Sequence, residues 1–265
     1  MSPASRQQRL GAYLAQEGYA SLDEIVRRFG VSISTIRRDL SELQRQGLIR
    51  RTPGGALHTG TVDSALDYNK RESQNIAEKE LIGEAVAGFI RDSDAIILDG
   101  GTTTFQVAKR LRGRPIHVVT NSLPIAGLLG NSPETELVFL GGSVMPLAGV
   151  SLGPYAEQML RSLHVRLAIM GTAGVTEAGF FNNHIIVVEL EKLMMSSAEE
   201  VIVAADHTKF GRKSLAKLCE PSAVNFVVSD AGLERSWVDS LEASGVDVHL
   251  AQRPESVTAQ SGVTQ

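Results

Sequence analysis

The chain has 265 residues, 43% of them hydrophobic, and a formal net charge of −4, a composition that supports a sizeable core and argues against a disordered or fibrous protein. The lone cysteine, Cys219, excludes an internal disulfide and fits a reducing compartment, and no CxxC or Cys/His cluster suggests a structural zinc. The start of the chain lacks the apolar run of a signal peptide, and no apolar stretch reaches the ~18 residues of a membrane span, so a cytoplasmic location without a membrane partner is expected. The charge is unevenly divided: residues 1–58 hold nine Arg, no Lys and five acids, giving +4, and the remainder carries −8. A basic head on an acidic body suggests that the head meets a polyanion.

In the head, Leu10, Tyr13 and Leu14 recur at helical spacing, which predicts a first helix over 6–17. Ser21-Leu22-Asp23-Glu24 is a capping box that opens a second helix, about 22–29, and Gly30 stops it. Ser32 caps a third helix, about 33–46, with Ile36, Leu40 and Leu43 on its inner face. Two helices joined by a short Gly-containing turn make a helix-turn-helix, whose second helix enters the DNA major groove by its N-terminal part. The outer face of that helix carries Ser34, Thr35, Arg37, Arg38 and Ser41, behind the cap Ser32. Arginine pairs with guanine edges or with phosphate, and hydroxyls suit either, so these residues are the candidate DNA contacts. Residues 48–57 read as a hairpin, or wing, with Arg50 and Arg51 placed to touch the backbone of the duplex.

Residues 58–72 read as a linker, 73–253 as a second domain and 254–265 as a disordered tail. After a helix beginning at Ile76, strand patterns at 95–99, 116–121, 136–140, 167–171, 200–205 and 225–229 alternate with helical ones at 102–111, 122–130, 153–162, 186–198 and 234–243. Such alternation predicts an α/β domain with a mostly parallel sheet, which binds ligands beyond the carboxyl ends of its strands. The stretch Ile97 to Phe105 (ILDGGTTTF) stands out as strand, tight polar loop and helix start. Its Asp99, Gly100, Gly101, Thr102, Thr103 and Thr104 can cradle a phosphate on unpaired helix N–H groups and hydroxyls. It is not a nucleotide P-loop, because GxxxxGK[ST] is absent. Thr120, Asn121 and Ser122 follow the second strand, Gly141 and Gly142 the third, and Asp206 and Lys209 the fifth. Together they suit a small phosphorylated sugar or polyol.

VSISTIRRDLSELQRQGLIRRTPGGA resembles the DeoR family of bacterial transcriptional regulators, as do DGGTTT, VVTNS, FLGGSV and ADHTKFG in the second half. The resemblance implies a winged helix-turn-helix followed by a sensor domain similar in fold to ribose-5-phosphate isomerase. It implies a sugar-phosphate effector, with phosphate at Gly101 to Thr104 and Lys79 and Lys209 as cations near it. Two departures from the family pattern stand out: Arg166 where an aspartate is common, and the GFFNNH loop at 179–184, whose Asn182, Asn183 and His184 are candidates for the sugar end. The expected protein is a homo-oligomeric repressor of carbohydrate-metabolism genes, without cofactor, metal or catalytic residues. The alternative is an isomerase-like enzyme carrying a DNA-binding head.

Overall fold

The computed structural model describes residues 3–17, 19–52, 54–58 and 67–252. The head contains α1 (Pro3–Glu17), β1 (Tyr19–Ser21), α2 (Leu22–Phe29), α3 (Ile33–Arg45), β2 (Ile49–Thr52) and β3 (Gly55–His58). The predicted capping box forms: the Ser21 Oγ accepts from the Glu24 N–H at 3.2 Å, and Glu24 accepts from the Ser21 N–H at 2.8 Å. Gly30, at φ 64°, ends α2 in the left-handed region. Leu10, Leu14, Ile25, Ile36, Leu40, Leu43 and Ile49 form the head's core. The Arg6 Nε donates to the buried Asp39 at 2.6 Å, and the Gln7 amide donates to it at 3.0 Å, which ties α1 to α3. β2 and β3 make the antiparallel wing, and β1, which the sequence pattern does not signal, pairs with the other edge of β3.

The body opens with α4 (Tyr68–Glu72), α5 (Ile76–Ala87), β4 (Ala95–Leu98), α6 (Thr102–Leu111), β5 (His117–Thr120), α7 (Leu123–Leu129) and β6 (Glu136–Phe139). A hairpin of β7 (Ser143–Met145) and β8 (Val150–Leu152), α8 (Pro154–Leu160), β9 (Val165–Met170), β10 (Gly174–Thr176) and β11 (Gly179–Asn182) follow. The chain continues through α9 (Ile185–Ser196), β12 (Ala198–Ala204), β13 (Ala216–Cys219), β14 (Phe226–Asp230), α10 (Arg235–Ala243) and β15 (Asp247–Ala251).

Seven strands form one sheet in the order β15-β14-β12-β9-β4-β5-β6, every neighbouring pair parallel. The side-chain period of two sends alternate residues to opposite faces, and helices cover both. Ile96, Leu98, Leu167, Ile169 and Ile202 pack with Ile82, Val86, Val107, Leu111, Ile125 and Leu129 from α5, α6 and α7. Ile97, Ala168, Met170, Val201 and Val203 pack with Leu160, Val188, Met194, Val238 and Leu241 from α8, α9 and α10. The chain leaves β4 toward β5 and β6, then returns to lay β9 on the other side of β4. The sheet therefore switches direction between β4 and β9, and a crevice opens beyond their carboxyl ends.

The last part of the stretch expected as a linker, 68–72, is helical. Residues 59–66 and the expected tail at 254–265 lie outside the described residues. Tyr68–Glu72 is a helix of the body: Tyr68 is buried, its N–H donates to the Leu147 carbonyl at 2.9 Å, and its ring stands edge-on to Phe105. No described helix is long and apolar enough to cross a membrane.

Candidate functional site

On the head, the third helix presents a polar face. Ser32, Ser34, Arg37, Arg38 and Ser41 are exposed, as are Arg50 and Arg51 on the wing, and Thr35 is half-buried. The Ser32 Oγ accepts from the Thr35 N–H at 3.3 Å and lies 2.9 Å from the hydroxyls of both Ser34 and Thr35, so a hydroxyl cluster marks the start of α3. Arg51 donates to the Ser41 Oγ at 2.8 Å, and Ser41 donates to the Arg37 carbonyl at 2.8 Å. The wing is thus fastened to the helix, and Ser41 serves as the fastener. Arg37 and Arg38 project from the same helix into solvent.

On the body, the cleft forms where the topology requires. Asp99 ends β4, and its carboxylate accepts from the Gly171 N–H at the end of β9 at 3.1 Å, bridging the two strands at the switch point. Gly100, Gly101, Thr102 and Thr103 line one wall. The backbone N–H groups of Thr102 and Thr103, in the first turn of α6, lack intrahelical acceptors and carry the positive end of the helix dipole. Gly100 has no room for a side chain, because a Cβ there would lie 2.2 Å from Val150 Cγ1. Arg71 and Lys209 enter from α4 and from the turn after β12, with Arg212 and Lys213 beyond. Asn182, His184 and Glu191 form a wall from β11 and α9.

The electrostatics follow from burial. The Arg71 Nε is buried without a hydrogen-bond partner. Burial pulls the Arg71 guanidinium below its ordinary range, while the charges of Asp99 and Glu191 act the other way. Burial also lowers Lys209, which Asp206 opposes. It raises Asp99 against the N–H groups of Gly171 and Gly100. Glu191 is pushed well above the carboxylate range by burial and then by the charge of Asp99.

Of the residues expected at the effector, the structure gathers Asp99, Gly100, Gly101, Thr102, Thr103, Asn182, Asn183, His184 and Lys209 around one cleft. The others take supporting places. Thr104 is buried with its hydroxyl engaged in its own loop: it accepts from the Gly101 N–H at 2.9 Å and donates to the Asp99 carbonyl at 2.7 Å. Lys79 is buried in α5, and its Nζ donates to the carbonyls of Gln74, at 2.6 Å, and of Arg71, so it props the segment that presents Arg71. Thr120 donates to the Leu98 carbonyl, Asn121 to the Ser151 carbonyl, and Ser122 caps α7. Gly141 and Gly142 turn the chain into the β7–β8 hairpin. Asp206 accepts from Asn75 at 3.0 Å and from Thr208, and acts on Lys209 through its charge. Arg166 belongs to the opposite end of the sheet: at the amino end of β9 it pairs with Asp94 and donates to the Phe89 carbonyl at 2.8 Å. That departure therefore leaves the cleft untouched. Arg71, Glu191, Arg212 and Lys213 are among the lining residues that sequence reasoning missed, as are Tyr13, Tyr19 and Glu24 of the head, which border the same cleft.

A winged helix-turn-helix joined to a parallel α/β body with a polar, charge-lined cleft at its switch point defines a DNA-binding regulator with a ligand-sensing module. The profile described as the DeoR-like helix-turn-helix domain matches residues 6–61, and that of the DeoR C terminal sensor domain matches 74–231. The transcriptional repressor AccR of Agrobacterium fabrum is 32% identical over 87% of this chain and 91% of its own. The HTH-type transcriptional repressor GlcR of Bacillus subtilis is 30% identical over 92% of this chain and 94% of its own. The chain belongs to the DeoR family of transcriptional regulators, and it is a regulator and not an enzyme. Among solved structures, ribose 5 phosphate isomerase A from Neisseria gonorrhoeae aligns with 19% identity and a TM-score of 0.39, over 51% of this chain and 53% of that one, a likeness too loose to inform the chemistry.

Proposed function

We propose that this protein represses carbohydrate-metabolism genes and that a phosphorylated sugar or polyol, bound in the body, changes its affinity for operator DNA. The observation that carries the reading is the meeting of the α6 N-terminus with Arg71 and Lys209 in one cleft. Helix N–H groups and two cations suit a phosphate dianion, and the hydroxyls of Thr102 and Thr103 add donors. Arg37 and Arg38 read or hold the duplex, with Arg50 and Arg51 on its backbone. Effector binding acts by favouring one arrangement of the heads, since a ligand with no preference between arrangements shifts nothing. Heads of this kind bind paired half-sites, so the active species is a homo-oligomer, and the protein works in the cytoplasm beside its operator.

Thermal unfolding against sugar phosphates and their unphosphorylated parents tests the reading. A ligand at 100 times its dissociation constant adds about 2.7 kcal/mol of stability. A phosphorylated compound that raises the midpoint while its parent does not supports the phosphate site. No shift across pentose, hexose and polyol phosphates contradicts it.

A further inference from the structure

The wall of the cleft made by β11 and α9 carries an acid that the phosphate reading leaves unused. Glu191 is 3% exposed yet lines the cleft. The Asn182 Nδ2 lies 2.7 Å from one of its carboxylate oxygens and 2.8 Å from the other. The orientation of that amide is fixed from behind, because the Asn182 Oδ1 accepts from the Ala173 N–H at 2.6 Å. The amide therefore presents only donors to Glu191. No described Lys or Arg lies within salt-bridge distance of Glu191, and Arg71 acts on it only through space. Burying a carboxylate without an ion pair is costly, so stability alone gives no reason for an acid at this position. A carboxylate has about four acceptor sites, and one amide group fills at most two.

We propose that Glu191, aimed by Asn182 and seconded by Asp99, is a hydroxyl-accepting subsite, so that the cleft reads the hydroxyl groups of a polyhydroxylated phosphate ester as well as its phosphate. The proposal deepens the sugar-phosphate reading and rests on it. The ligand end facing Glu191 is taken as a hydroxyl because Arg71, the cation that acts on Glu191 through space, disfavours an ammonium there, and hexosamine esters separate the two.

The informative variant is Glu191→Gln. Its amide must turn its oxygen toward the Asn182 Nδ2, which leaves an N–H₂ facing the cleft and replaces an acceptor by a donor. Calorimetric titration of the full chain compares methyl phosphate, which has no hydroxyl, with pentose and hexose phosphates, their unphosphorylated parents and hexosamine phosphates. The expected result is that at least one sugar phosphate binds wild type more tightly than methyl phosphate does. Glu191→Gln should then lose about tenfold or more of affinity for that compound while methyl phosphate binding stays unchanged. Retention of the sugar-phosphate advantage in Glu191→Gln overturns the proposal and leaves the phosphate site standing. So does equal binding of methyl phosphate and every sugar phosphate by wild type, or a preference for the hexosamine esters. If no phosphate binds but a free sugar does so in a Glu191-dependent way, the phosphate reading fails and the hydroxyl subsite survives; if nothing binds, both fail. Glu191→Asp, which keeps the carboxyl group and withdraws it by one methylene, is read the same way should the glutamine variant not fold. Failure of both variants to fold overturns the proposal by making the pair a structural one.

Discussion

Helix α6 brings the first turn of its backbone to the cleft, and its position is set by a close approach to α5. Gly83 on α5 faces Gln106 on α6: a Cβ at Gly83 would lie 2.8 Å from both the carbonyl carbon and the Cβ of Gln106 and 3.0 Å from its oxygen. Ordinary contact begins at 3.4 Å, so Gly83→Ala must open the helix pair by roughly 0.6 Å, against backbone that cannot rotate away. Overpacking of this kind costs about 1–3 kcal/mol. Alanine also returns up to ~1 kcal/mol of helix propensity, which blurs the net change. Gly127 supplies the control, since it is an exposed glycine of α7 whose added Cβ would meet nothing within 4 Å. Gly127→Ala should stabilise by about 0.5–1 kcal/mol. Thermal unfolding of both variants isolates the packing contribution as their difference, about 1–3 kcal/mol, or roughly 2–9 °C for a domain of this size. Equal stabilisation by the two alanines would refute the close α5–α6 approach and, with it, the account of how α6 is held at the cleft.

Alanine at both Arg37 and Arg38 should abolish operator binding while leaving sugar-phosphate binding intact. In the single variants the slope of log affinity against log salt should fall by about 0.9 for each phosphate contact removed, whereas a base-reading arginine should show instead as lost sequence discrimination; fluorescence anisotropy across a salt series separates the two. Gly100→Ala forces a methyl group against Val150 and should remove effector-induced stabilisation without changing operator affinity, as read by thermal shift and anisotropy on the same sample. Burial lowers the Lys79 ammonium from 10.5 to about 8. Between those values the unfolded chain holds a proton there that the folded chain has released, so the Lys79 contribution to stability rises with pH across that window and is lowest below about 8. The difference in midpoint between wild type and Lys79→Met, followed from neutral to alkaline pH, should show that rise; a flat difference refutes the depressed value.

Much of the fold was legible because local signals agreed with one another. The Ser21–Glu24 box, Gly30 and the Ser32 cap each set a helix boundary by a short-range hydrogen bond or backbone conformation that sequence reports directly. The apolar runs at 95–98 and 167–170, set among strand and helix patterns that alternate along the chain, announced a helix-covered sheet. The β7–β8 and β10–β11 hairpins were not legible, since strands of three or four residues are too short to display a period. Asn121 and Thr120 were expected at the rim, yet their side chains satisfy backbone carbonyls of neighbouring segments, which no local pattern announces. Arg71 was missed because it lies in a polar stretch that reads as linker until Tyr68 is seen buried against Phe105. Glu191 was missed because an acid lying between Glu189 and Lys192 reads as part of a solvated face. A signal for it did exist: Glu191 stands four residues after Val187 and seven after His184, and all three share the helix face that lines the cleft.

Ligand bound in the body should govern DNA contact by the head. The measurement that tests it most directly is the affinity of the full chain for its operator duplex, by fluorescence anisotropy at fixed salt, with and without each sugar phosphate that raises its thermal midpoint. At least one such compound should shift operator affinity by about fivefold or more, the lower end of ordinary allosteric coupling, and its unphosphorylated parent should not. Stabilisation of the body by a sugar phosphate with no change in operator affinity would contradict the account, because binding and DNA contact would then be uncoupled.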